Sequence, residues 1–276
     1  MIIGIPKETF PGETRIVLLP SEIKRIVSNT LIFQVETDAG MGAYFSNDSF
    51  MESGAEVVPN VYLSSNIIIR INPPEVDDVD KLKEGSCLIS LINPFINHSL
   101  VKKLAQRNIS TFCLELIPRS TYAQSMDVLS SQATVAGYRA VLNAASHLGK
   151  FFPMLMTPAG TIKPAHVLIL GAGVAGLQAI ATAKRLGAKV EAFDVRPASK
   201  EQVESLGAKF LYMDLDDTSE TDSGYAVEMD EDFIRKEMEL LHEAAKRMDA
   251  IITTALIFGK KAPILIKDYM VGDMPT

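Results

Sequence analysis

Gly171, Gly173 and Gly176 stand in G-x-G-x-x-G spacing, and an acid, Asp194, follows 18 residues after the last of them. Glycines so placed have three tasks: a sharp turn, room for an anion at the backbone, and close packing of a helix on a strand. The unpaired N–H groups at the helix N-terminus add a partial positive charge suited to phosphate. A carboxylate at the end of the following strand suits ribose hydroxyls and repels a 2′-phosphate. Together they describe a dinucleotide site that prefers NAD to NADP, with Arg196 able to soften the repulsion.

A second polar concentration runs over residues 119–131, RSTYAQSMDVLSS, after an apolar strand and Pro118. Arg119, Gln124, Asp127 and Ser130 fall there at a loop–helix junction, where donors and acceptors can converge on an amide ring. The same residues also read as a helix cap at Asp127 and a surface charge at Arg119, and the residues alone leave both readings open. The four histidines are scattered and C-x-x-C spacing is absent, so no metal site is expected. Cys87 and Cys113 lie in apolar strand-like runs, which predicts buried free thiols in a reducing compartment.

The elements that must position these residues follow from the apolar pattern. Val167–Leu170 is a short apolar run of the kind buried on both faces of a parallel sheet. A helix follows, with Val174, Leu177, Ile180 and Ala181 on one face, then a strand over Lys189–Phe193. Further on, helix 199–206, strand 210–213, helix 232–247 and strand 250–254 continue the alternation. Residues 219–225 read as a mobile loop in which Tyr225 is an anchor or a lid.

Residues 1–118 alternate in the same way. Strands are expected at 2–5, 32–37, 67–71, 88–91 and 111–116, with helices at 21–27, 48–53, 79–82 and 99–106 and N-caps at Ser21 and Ser99. The fold expected is α/β, two Rossmann-like parallel-sheet domains with a cleft between them: 1–133, without a glycine-rich loop, and 134–276, binding NAD(H). A helix over 134–151, with an apolar stripe at Val135, Tyr138, Val141 and Leu142, joins them. Residues 152–162 form a hairpin that packs on its own domain or reaches a second subunit. Only four strands follow from the glycine loop, so the second domain reads as C-terminally incomplete.

At 47% hydrophobic and 22% charged, the 276 residues describe an ordinary globular chain. The net charge of −7 is local: nine acids and no lysine or arginine lie between Asp214 and Asp232. The rest of the chain is therefore near neutral, which argues against a nucleic-acid partner. The most apolar window, 167–183, is short for a membrane span and carries three glycines, and no basic lead of a signal peptide precedes residue 2.

Several runs carry a resemblance: PKE at 6–8 with Arg15, RSTYAQSMDVLSSQATVAGYRAV at 119–141, MTPAGTIKPAHVLILGAGVAGLQAI at 156–180, FDVRPASKEQVESLGAKF at 193–210, GYA at 224–226 and TTALIFGKKAP at 253–263. They resemble the NAD(H)-binding domain I of proton-translocating NAD(P) transhydrogenase, in a family that also holds alanine dehydrogenase. The resemblance implies that Arg119, Gln124, Asp127 and Ser130 orient the nicotinamide and its ribose, with Arg119, Gln124 and Asp127 nearest the reaction. It implies that Gly171, Gly173, Val174 and Gly176 hold the pyrophosphate, that Asp194, Val195 and Arg196 meet the adenosine ribose, and that Tyr225, Ala255 and Leu256 complete the nucleotide site. Implied partners are an NADP(H)-binding domain III and a membrane domain, with a homodimer. The implied location is the cytoplasmic or mitochondrial-matrix side of an energy-transducing membrane, or the cytoplasm for an isolated domain.

Alanine dehydrogenases carry a lysine and a histidine where IIIRINPP (67–74) and LISLINPF (88–95) place Asn72 and Asn93. Neither asparagine is an acid–base group, whereas direct hydride transfer needs none. The competing readings are a soluble NAD-dependent alanine dehydrogenase and a non-catalytic NAD-binding fragment.

Overall fold

A computed structural model describes residues 1–118, 120–212, 231–256 and 261–275. The chain divides into two compact units, Met1–Leu129 and Ser130–Thr276.

The first unit is a six-stranded, wholly parallel sheet. Its strands are β1 (Ile2–Ile5), β2 (Ile32–Glu36), β3 (Glu56–Val58), β4 (Ile67–Ile69), β5 (Cys87–Ser90) and β6 (Ser110–Cys113), in the order β3-β2-β1-β4-β5-β6. That is the order of a dinucleotide-binding sheet, with its topological switch between β1 and β4. The helices are α1 (Pro20–Ile26), α2 (Asn47–Glu52) and α3 (His98–Gln106); residues 77–81, expected as α-helix, form a 3-10 turn. Alternate β4 residues serve opposite faces. Ile67 and Ile69 pack with Phe33, Val35 and Phe50, and Ile68 packs with Leu88, Leu100 and Leu104.

The N-caps fall elsewhere than expected. Leu19 precedes α1 and Asn97 precedes α3, neither with a side-chain cap; Pro20 fits the first turn of α1 because no N–H is needed there. The Ser46 hydroxyl, by contrast, caps α2 by accepting from the Ser49 N–H at 3.2 Å. Cys87 and Cys113 are half-buried free thiols rather than fully buried ones.

The second unit opens with α4 (Val128–His147), whose first two residues belong to the first unit. It begins six residues before the helix expected at 134, because Ser130, Ser131 and Gln132 are polar but include no helix breaker. Its packed face is also not the one expected. Val135 and Tyr138 are exposed, while Gly137, Ala140, Val141 and Ala144 face the core. Gly137 permits this approach, since a Cβ there would stand 2.1 Å from the Ala175 carbonyl oxygen.

The hairpin β7 (Leu155–Thr157) and β8 (Gly160–Ile162) is antiparallel, with Met154, Met156 and Ile162 exposed. Beyond it run β9 (His166–Leu170), α5 (Val174–Arg185), β10 (Lys189–Phe193), α6 (Ser199–Ser205), β11 (Lys209–Phe210), α7 (Glu231–Ala245), β12 (Ala250–Thr253) and α8 (Asp268–Gly272). The sheet is parallel, in the order β11-β10-β9-β12. Val167–Leu170 are fully buried, alternating between a core under α4 and α5 and another under α7. On α5 the buried face is Gly176, Ala179, Ile180 and Ala183, while Val174 is exposed and Leu177 only half-buried. No described helix is long and apolar enough to cross a membrane.

Candidate functional site

β9 delivers the chain to the glycine loop at the C-terminal end of its sheet. Gly171 has φ +96°, a left-handed conformation that favours glycine, and its N–H still donates to the Phe193 carbonyl at 2.8 Å. Its own carbonyl oxygen lies only 1.8 Å from where a Cβ on Gly176 would stand, so Gly176 is what admits the loop against the first turn of α5. Gly173 is the N-cap, with ordinary φ and no side-chain cap, and a Cβ on it would meet nothing within 4 Å. The three glycines thus divide their work as the spacing predicts. One makes the turn, one leaves open space before an uncapped helix start, and one allows close packing. Space, N–H donors and the positive end of a twelve-residue helix suit a pyrophosphate.

Asp194 follows β10 and closes the loop from one side. Its Oδ2 accepts from the Ala172 N–H at 2.6 Å and from Arg196 Nη2 at 3.0 Å; its Oδ1 accepts from the Arg196 backbone N–H and from Nε, both at 2.9 Å. Burial alone pushes this carboxyl's pKa up, but the Arg196 guanidinium and the two N–H donors outweigh it and hold it below the usual aspartate value. Arg196 in turn is held protonated by the carboxylate.

Thr254, just past β12, closes the loop from the other side and belongs to no sequence motif. Its hydroxyl lies 3.0 Å from the Gly171 carbonyl oxygen and 3.1 Å from that of Leu170. The only signal for it is its place at the end of the strand beside β9, which strand order reveals and spacing does not.

Of the other expected residues, Val174 starts α5 and is exposed, Val195 packs on the core beneath β9, and the Ala255 backbone lies against Gly171. Leu256 is 78% exposed. Gln124 is exposed in a 3-10 turn over Gln124–Met126, Asp127 is the residue before α4, and Ser130 lies in its first turn. Arg119 and Tyr225 lie outside the described residues.

At the switch point of the first sheet, the two asparagines that stand where alanine dehydrogenases carry acid–base groups are bound into polar networks. The Asn72 amide donates to Glu8 Oε2 at 3.2 Å and to Glu13 Oε2 at 3.1 Å. Arg15 forks onto Glu13 at 2.8 and 2.6 Å, and Glu8 faces the buried Arg70 at 3.6 Å. The fork from Arg15, with help from Asn72, lowers the Glu13 pKa to about 2 against the opposing effect of burial. Asn93 has φ +49°, which asparagine tolerates, and its N–H donates to the Glu115 carboxylate. Among the described residues no His, Cys, Asp and Glu cluster that could hold a metal occurs.

Models of the alanine dehydrogenase/PNT family match the chain in two pieces, the N-terminal domain over residues 4–136 and the C-terminal domain over 140–276. The chain is 45% identical over 284 residues to the first piece of the two-piece NAD(P) transhydrogenase subunit alpha of Rhodospirillum rubrum, covering 99% of this chain and 74% of that protein. Similarity to the NAD(P) transhydrogenase subunit alpha of Haemophilus influenzae is 44% over 275 residues, 99% of this chain but 54% of that one. A solved transhydrogenase from Sinorhizobium meliloti superposes with a TM-score of 0.87 at 38% identity, over 100% of this chain and 76% of that one.

Proposed function

The chain belongs to the alanine dehydrogenase/PNT family, and from that premise we propose that it is the NADH-binding, hydride-donating component of a proton-translocating NAD(P) transhydrogenase. It spans about half the length of its Haemophilus relative (54%), so the remaining parts of the reaction are assigned to partners. The observation that carries the reading is the glycine loop of the second unit, built around open space at Gly173 and flanked by an ionised Asp194.

In this proposal the bound nicotinamide supplies the hydride. The chain's residues bind, orient and exclude water, because hydride passes from C4 of one ring to C4 of another without a protein acid or base. The opening N–H groups of α5 take the pyrophosphate, and Asp194, with Val195 and Arg196, takes the adenosine ribose. Arg119, Gln124, Asp127 and Ser130 orient the nicotinamide and its ribose, and Tyr225 closes over the nucleotide, with Ala255 and Leu256 beside it. NADP(H) sits on a separate domain III, and a membrane domain carries the proton path. The working unit is a homodimer at the membrane surface.

Alanine oxidation is disfavoured by the network at the first sheet. Asn72 is held between two carboxylates and Arg15 is engaged by Glu13, so neither supplies the proton acceptor that amino-acid oxidation requires. The deciding experiment mixes the chain with an NADP⁺-loaded domain III and follows hydride exchange from NADH. Exchange without any activity on alanine and NAD⁺ is expected. NADH formation from alanine with no second protein present would replace this reading by the dehydrogenase one.

A further inference from the structure

Thr254 meets the loop through both its backbone and its side chain. Its N–H donates to the Leu170 carbonyl at 2.8 Å, and its single hydroxyl proton is shared between the carbonyls of Leu170 at 3.1 Å and Gly171 at 3.0 Å. A Cβ on Gly171 would stand 2.9 Å from this hydroxyl oxygen, and one on Gly176 would stand 3.0 Å from it. The hydroxyl therefore occupies the notch that the two glycines leave.

The Gly171 carbonyl and the Ala172 N–H belong to one planar peptide unit. Thr254 holds its oxygen from the β12 side, and Asp194 holds its N–H from the β10 side at 2.6 Å. Gly171 is otherwise the loop residue with the widest choice of backbone angles, so a peptide tethered at one end only is free to turn.

We propose that Thr254 is a positioning residue for nucleotide binding. Together with Asp194 it locks the Gly171–Ala172 peptide, so that the Ala172 N–H is engaged inside the protein and the N–H groups opening α5 are the ones presented to the pyrophosphate. The inference rests on the dinucleotide reading of the loop. Asp194 then has two duties, the ribose and the latch, and Thr254 acts only through Gly171.

The test compares Thr254→Val, which keeps the shape and removes the donor, with Thr254→Ser, which restores it; Thr254→Ala replaces the valine variant if that one does not fold. Each is titrated with NADH and with adenosine, which has no phosphate. The expected result is a rise of about tenfold in the NADH Kd for valine, the loss of roughly one hydrogen bond's worth of alignment. Adenosine binding should be unchanged, and serine should recover most of the NADH affinity. Wild-type affinity for NADH in the valine variant overturns the proposal, as does a parallel loss for both ligands or failure of serine to rescue. If the unaltered chain binds no NADH at all, the dinucleotide reading itself falls, and the inference with it.

Discussion

Arg196 grips Asp194 with both edges of its guanidinium, Nε to Oδ1 at 2.9 Å and Nη2 to Oδ2 at 3.0 Å. The carboxylate side chain is 7% exposed and the guanidinium 42%, so the pair presents an arginine to solvent where the strand alone would present an acid. This bears directly on the choice between NADH and NADPH. A 2′-phosphate repelled by Asp194 would find a cation beside it.

Removing that cation should sharpen selectivity. In Arg196→Ala, Asp194 keeps the Ala172 N–H and stands ready for ribose hydroxyls, so NADH affinity is expected within about threefold of the parent, whereas NADPH affinity should fall about tenfold, a charge-assisted contact being lost. Parallel titrations of both nucleotides measure the ratio. A fall of equal size for both would mean that Arg196 serves only to hold Asp194.

Gly173 and Gly176 are two glycines of one motif with opposite surroundings. In Gly176→Ala the new methyl would stand 1.8 Å from the Gly171 carbonyl oxygen, which forces the loop away from α5, so stability should fall by about 1–3 kcal/mol together with NADH binding. In Gly173→Ala the methyl meets no protein atom within 4 Å, and stability should change by less than about 1 kcal/mol, the scale of an altered N-cap. NADH affinity should nonetheless drop sharply, because the methyl enters the space left for phosphate. Melting curves and NADH titrations of the two variants separate the effects, and a Gly173→Ala chain that binds NADH normally would locate the phosphates elsewhere.

The strand–loop–helix–strand unit from 166 to 193 is legible in the sequence because each boundary has a local cause. Val167–Leu170 are apolar throughout, Gly171 must adopt φ +96°, and Gly187, at φ +90°, ends the α5 turn. The start of α4 is not legible, since Ser130 to Gln132 are neither strong formers nor breakers and tertiary packing through Gly137 decides. β3 escapes the pattern because three residues, Glu56–Val58, give too short an alternation to stand out. Thr254 is invisible for a different reason. Its contact depends on β12 lying beside β9, a relationship 84 residues apart in sequence. In the sequence the asparagines at 72 and 93 read only as missing acid–base groups; their structural duties, amide donor between two glutamates and left-handed backbone, need the fold to be seen.

Glu13 gives the first unit a distinctive acid response. Its carboxyl, held at about 2 by the Arg15 fork, has a folded pKa below its ordinary 4.5. The stability it contributes is therefore complete above pH 4.5 and is lost as pH falls toward 2. Denaturant midpoints taken from about pH 6 down to about pH 2.5 should show the parent chain losing stability faster than Glu13→Gln, so that the two converge in acid. Parallel curves throughout would show that the fork contributes nothing to folding.

Gln124 supplies the test that separates binding from reaction. It is exposed in its 3-10 turn, four residues before α4, and the proposed role is to steer the nicotinamide toward its acceptor rather than to hold the nucleotide. Gln124→Asn keeps the amide and withdraws it by one methylene. NADH affinity should stay within about threefold of the parent, while single-turnover hydride transfer to a domain III carrying NADP⁺ should slow by about tenfold or more, since displacements of about 1 Å weigh heavily on aligned reacting groups. A titration and a stopped-flow trace on the same preparation measure both. Losses of equal size would assign Gln124 to binding, and an unchanged rate would remove it from the reaction altogether.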